Sequence, residues 1–247
     1  MGDLIKITLI GTFFGTFGTT IGGIIGVFLK NTTNKFLSFI LELAAGLMMG
    51  IVCFDLIPEA INISNIANVI IGIVLGVITM IICDNLLTIR FNKKTVETMG
   101  TNSLLKTGII IGIGLAIHNL PEGLAIGSAY GASIRLGISL ALAIALHDIP
   151  EGISMSVPMK NGGMKKTKVI LYTILSGLTT GIGAFVGRIV GGISTELVSI
   201  SLSFAAGAML YIVSGELVPE SYKLYKGRLP YIGYIIGILL GIIATII

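Results

Sequence analysis

The chain has 247 residues, 54% of them hydrophobic and 11% charged, with a net charge of +4 and a mean hydropathy of +1.00. That composition excludes a soluble globular domain, because long apolar stretches take up most of the sequence. The positive charge does not point to nucleic acid, because it is confined to alternate connections between those stretches.

A helix needs about 20 apolar residues to cross a bilayer. Eight stretches qualify: 4–29, 36–57, 67–89, 104–130, 135–158, 169–191, 197–218 and 229–247. The first has Lys6 near its start, but its Gly-rich run shows no clear cleavage site, so it is expected to be a retained helix rather than a signal peptide. The fold predicted is therefore an all-α polytopic membrane protein with eight transmembrane helices. It is expected to form one transmembrane domain over residues 1–247, with helices in the order 4–89, 104–158 and 169–247. Thirteen of the 16 Lys and Arg residues fall in the connections after the odd-numbered spans, and the other side has Lys6, Arg135 and Arg188. Positive charge marks the cytoplasmic side, so both termini are expected to be extracytoplasmic in a cytoplasmic membrane. Cys53 and Cys83 fall inside spans and read as small packing residues.

Two internal repeats organise the spans. The second and seventh match without a gap at an offset of 161 residues. Ala44-Ala45-Gly46-Leu47-Met48 and Asp55-Leu56-Ile57-Pro58-Glu59 correspond to Ala205-Ala206-Gly207-Ala208-Met209 and Glu216-Leu217-Val218-Pro219-Glu220. The fourth and fifth match at an offset of 29. Both pairs are an odd number of spans apart and so cross in opposite directions. This is a 3+2+3 inverted repeat, an arrangement in which transporters commonly place substrate near the midplane. Glycines spaced by four, such as Gly18/Gly22/Gly26 and Gly183/Gly187/Gly191, let helix backbones approach closely in lipid.

The central pair carries the chemistry. The only two histidines lie in matching phrases, His118-Asn119-Leu120-Pro121-Glu122-Gly123 and His147-Asp148-Ile149-Pro150-Glu151-Gly152. Residues i and i+4 share a helix face, so each phrase aims a His and a Glu the same way, and Asn119 and Asp148 are placed to join them. Imidazole with carboxylate suits a divalent transition metal, and ionisable groups at membrane depth are usually functional. Pro121 and Pro150 are expected to kink their helices and free the carbonyls of Ile117 and Leu146. In the second span, Asp55 lies two turns after Met48 and is placed to relay an ion. Glu216 is its partner by repeat, and Glu42 and the Asp84-Asn85 pair are weaker candidates.

The paired phrases, the eight spans and the external termini resemble the ZIP (Zrt-, Irt-like) family of divalent metal transporters, and its bacterial branch most. The resemblance covers essentially the whole chain. It implies uptake of zinc into the cytoplasm, with iron, manganese, cobalt and cadmium as further ions. It also implies a first metal site of His118, Glu122, His147 and Glu151 with Met48, and an adjacent second site of Asn119, Asp148 and the shared Glu122 and Glu151. One position departs from the family. Where the bacterial branch carries a Glu in the sixth span, this chain reads Ser176-Gly177-Leu178-Thr179-Thr180-Gly181, with Thr180 at the carboxylate's place. The second site thereby loses a charge.

The competing class is an intramembrane metal-dependent hydrolase working through a metal-activated water. His-Glu-X-X-His is absent, since the phrases run His-X-X-X-Glu, and an inverted repeat gives a hydrolase nothing it needs. The expectation is therefore a carrier and not an enzyme, with no cofactor and no nucleic-acid partner. Its partners are the divalent ion, the lipid bilayer and, as an open option, a second copy of the chain.

Overall fold

The computed structural model describes residues 2–30, 32–98 and 103–246; the side chains of Arg90, Lys93, Lys94 and Lys106, counted above in the basic connections, lie outside the described residues. The helices are α1 (Gly2–Phe28), α2 (Asn34–Ile51), α3 (Ile57–Ile63), α4 (Ile66–Thr98), α5 (Ser103–Ala132), α6 (Ile134–Asn161), α7 (Lys166–Gly191), α8 (Thr195–Ile212), α9 (Val218–Leu224) and α10 (Leu229–Ile246). One π-helical turn, Val52–Leu56, joins α2 to α3, and another, Val213–Leu217, joins α8 to α9. No strand occurs among the described residues. Seven of the resulting helical segments are long and apolar enough to cross a membrane, and the eighth span is the shorter apolar helix Leu229–Thr245. Large apolar side chains such as Leu9, Phe13, Ile70, Val74, Ile182 and Leu239 face outward, as expected where lipid is the solvent.

Local sequence explains the helix starts. Thr33, Ser133 and Ser194 precede α2, α6 and α8, and each hydroxyl accepts from the backbone N–H three residues on. It also explains the π turns. Pro58 and Pro219 carry no N–H and crowd the carbonyl one turn back. The residue before each reaches one position further, Ile57 N–H to Val52 O and Val218 N–H to Val213 O, and the helix carries on. The second and seventh spans accordingly run on to Ile63 and Leu224, beyond the ends at 57 and 218 expected from sequence. α5 and α6 continue as helix through Pro121 and Pro150. The π-helical backbone lies in the flanking spans, at Asp55 and Glu216.

The inverted repeat governs the packing as well as the element boundaries. A Cβ on Gly46 of α2 would run into the carbonyl of Tyr234 on α10, and one on Gly207 of α8 into that of Ile73 on α4. Both residue pairs differ by the same 161 positions. Likewise Gly123 of α5 rests on the carbonyl of Thr180, and Gly152 of α6 on that of Thr19. The repeat therefore extends to α1 with α7 and to α4 with α10, further than the sequence match. Two groups result. One is α1, α5, α6 and α7; the other is α2, α4, α8 and α10 with the short α3 and α9. They meet where α5 touches α8 and where α6 touches α2.

Candidate metal centre

The centre lies in the α5–α6 hairpin. These helices run antiparallel, turning at Ser133, with Gly137 against Tyr130 at one end and Gly162 against Leu105 at the other. That hairpin places the two six-residue phrases side by side. His118 and Glu122 share one face of α5, and His147 and Glu151 share one face of α6. All four side chains are fully buried, and one ligand atom from each lies within 4.8 Å of the others.

Glu122 is the hub. Its Oε1 accepts from His147 Nε2 across the hairpin at 2.7 Å and lies 2.8 Å from His118 Nε2 within its own helix, close but without hydrogen-bond alignment. Glu151 Oε1 stands 3.4 Å from His118 Nε2, and Asp148 Oδ1 stands 3.6 Å from His147 Nε2. The imidazole centroids are 6.5 Å apart. Glu122 Oε2 and both oxygens of Glu151 and Asp148 have no hydrogen-bond partner despite full burial. Buried carboxylates left this way are strongly unfavourable unless a cation compensates them. Zinc bonds to imidazole nitrogen and carboxylate oxygen at about 2.0–2.2 Å, which brings tetrahedral ligand atoms to about 3.4 Å from one another. A set already within 4.8 Å needs only a small contraction to reach that shell.

The remaining sequence-predicted residues fall in different places. Asn119 is fully buried and donates from Nδ2 to the carbonyl of Ser176 on α7 at 3.0 Å. Thr180, one turn further along α7, is fully buried and its Oγ1 makes no hydrogen bond. Met48 is fully buried on α2 within the apolar core that also contains Ile51, Ile144 and its repeat mate Met209. Of the two π-turn acids, Glu216 comes up to α5: its Oε2 would stand 3.4 Å from a Cβ on Gly114, one turn before His118. Its partner Asp55 is half-buried beside Glu59.

Three features escaped the sequence reading. Ser176 turns out to anchor Asn119 through its carbonyl, which no side-chain pattern announces. Tyr211 donates to Asp84 Oδ2 at 3.0 Å, tying α8 to α4 near Glu216. Ser38 and Ser221 bond one another across α2 and α9. Both free cysteines lie away from the cluster, Cys53 exposed and Cys83 half-buried.

Comparison with known proteins agrees with this geometry. The family described as ZIP Zinc transporter matches residues 92–246. The zinc transporter ZupT of Clostridium perfringens is 33% identical over 260 residues, covering 92% of this chain and 90% of that one. ZupT of Corynebacterium glutamicum is 30% identical over 246 residues, covering 92% and 93%. The zinc transporter ZIP11 of Xenopus tropicalis is 36% identical over 145 residues, covering 56% of this chain and 43% of its own length. The family is one of transporters, which sets the hydrolase reading aside. An all-α membrane chain with paired His/Glu phrases on an antiparallel central hairpin, this protein belongs to the ZIP zinc transporter family.

Proposed function

We propose that the chain takes up divalent metal cations, zinc foremost, across the cytoplasmic membrane through His118, Glu122, His147 and Glu151. The observation that carries this reading is the buried cluster itself: two imidazoles and two carboxylates gathered within 4.8 Å, at the centre of the inverted repeat. Two neutral imidazoles and two carboxylates match the charge of one divalent ion. Nitrogen and oxygen ligands hold zinc less tightly than thiolates, so the ion can leave as well as arrive. Iron, manganese, cobalt and cadmium are secondary cargo by the same ligand chemistry. Met48 is a further ligand by resemblance, and Asn119 and Asp148 complete the neighbouring site.

The packing supports a route for movement. The group holding the site, α1, α5, α6 and α7, meets the other group mainly through two symmetric contacts, α5 with α8 and α6 with α2. A shift of one group against the other would expose the site to each side in turn. Glu216, one turn from His118 along α5, gives the ion a carboxylate on the way, with Asp55 as its counterpart in the other repeat. The charge asymmetry supports external termini, and the contacts between the two helix groups support one continuous transporter body over residues 1–247.

The test is metal uptake into liposomes containing the purified chain, with zinc, iron, manganese, cobalt and cadmium in competition. Zinc accumulation that the double variant His118→Ala/His147→Ala lacks is the expected result. Uptake unchanged in that folded double variant would contradict the assignment.

A further inference from the structure

We propose that Lys30, Lys165, Lys166 and Lys168 hold the headgroup of an anionic phospholipid, at the corner of the bundle where α1 ends and α7 begins. The inference goes beyond the reading of the metal centre and does not depend on it.

Contacts among three helices build this corner. Lys160, in the last turn of α6, donates to the carbonyl of Leu29 at 2.6 Å, and Asn161 Nδ2 donates to Thr32 Oγ1 at 3.0 Å. Those bonds fasten the chain after α1 to the end of α6. The Lys166 ammonium lies 4.5 Å from the centroid of the Phe28 ring, a cation–π contact that brings the start of α7 to the same place. Deeper in the membrane a Cβ on Gly23 of α1 would run into Thr173 of α7, so the two helices stay in close contact below the corner. Lys30 is thereby brought toward Lys165, Lys166 and Lys168, and all four are exposed.

The charge gathered here has no local counterpart. The sequence holds no Asp or Glu from Leu4 to Leu41, nor from Gly152 to Thr195. The one Lys–carboxylate pair among the described residues belongs to the other helix group, where Lys223 meets Glu220 at 3.0 Å. Lysines clustered at the end of a membrane span without acids attract anionic headgroups. The surface below selects a lipid over a soluble anion. Leu171, Leu175, Leu178 and Ile182 are exposed at helical spacing on one face of α7, and Ile25 and Phe28 are exposed on α1. A phospholipid matches both parts, its phosphate at the lysines and its acyl chains along the two apolar faces. A soluble anion matches only the first.

The experiment is native mass spectrometry of the purified full chain after incubation with equal amounts of dioleoyl phosphatidylglycerol and dioleoyl phosphatidylcholine. The chains of the two lipids are the same, so the count of each lipid retained reads the headgroup alone. Phosphatidylglycerol should be retained in preference by at least about tenfold, given the contribution of each basic residue near a headgroup. Lys165→Gln/Lys166→Gln/Lys168→Gln should remove most of that preference. Lys223→Gln/Lys226→Gln/Arg228→Gln takes as many basic residues from the other helix group and should leave it in place. Equal retention of the two lipids by the native chain, or an equal fall in both triple variants, would overturn the inference. Inorganic phosphate that displaces phosphatidylglycerol more than chloride does at equal ionic strength would mark a soluble-anion site and overturn it too.

Discussion

Glu122 of α5 accepts a 2.7 Å hydrogen bond from His147 of α6, and the same Oε1 lies 2.8 Å from His118. One carboxylate oxygen thus stands within reach of both imidazoles, bonded to His147 across the hairpin. Loss of Glu122 is expected to remove a ligand and also the group that orients the two imidazoles. Glu122→Gln is therefore predicted to weaken zinc binding by more than about 100-fold, beyond the 10–100-fold typical of outer-shell partners. His147→Ala should do the same, with both variants remaining folded in the membrane. Calorimetric or chelator-competition titration checks this; affinity within about tenfold of the native value would show that Glu122 is not a ligand.

Topology follows from the 13 basic residues on one side and three on the other. Single cysteines introduced at positions 97 and 2, in a background lacking Cys53 and Cys83, report it through an impermeant maleimide. Position 2 should react in intact cells, and position 97 only after the membrane is opened. Labelling of position 97 in intact cells would reverse the orientation.

Proton competition gives the pH dependence. Only the neutral imidazole binds metal, and the ordinary histidine pKa is roughly 6.5. As pH falls below about 6 a larger fraction of His118 and His147 must lose a proton before zinc binds, so uptake should weaken toward acid. A response that stays flat between pH 7 and 5 would argue against histidine ligation.

Much of this arrangement is legible in the sequence, because the phrases repeat and the helix period is fixed. His118, Glu122, His147 and Glu151 meet where a four-residue spacing on antiparallel neighbours puts them. The offset of 161 foretells even the exchange of partners between halves: Ser38 bonds the carbonyl of Ser221, and its repeat mate Ser199 bonds that of Ala60, the mate of Ser221. What the pattern hides is backbone detail. Proline before an acid reads as a kink or an end, yet at Pro58 and Pro219 the chain absorbs it in a π turn and continues. At Pro121 and Pro150 the helix passes through. The difference between Asp55 and Glu216 is also invisible in sequence, since it depends on α5 presenting Gly114 to one of them.

Thr180 is predicted to limit the second site. Two close divalent ions need enough negative charge to offset their repulsion, and a hydroxyl is a neutral, weak ligand. Native protein should hold one zinc tightly, and Thr180→Glu should raise the stoichiometry toward two and slow release. Elemental analysis of both proteins at matched free zinc decides the matter. Two tight zinc ions per native chain, unchanged by the substitution, would show that position 180 does not set the count.

The most direct measurement is zinc-edge X-ray absorption on the purified chain loaded with one equivalent of zinc. The account predicts nitrogen and oxygen neighbours at about 2.0–2.2 Å and outer-shell scattering from two imidazoles. In His147→Ala that scattering should fall to one imidazole. A spectrum without imidazole scattering, or one that is the same in native protein and in His118→Ala/His147→Ala, would contradict the claim that zinc is bound between α5 and α6.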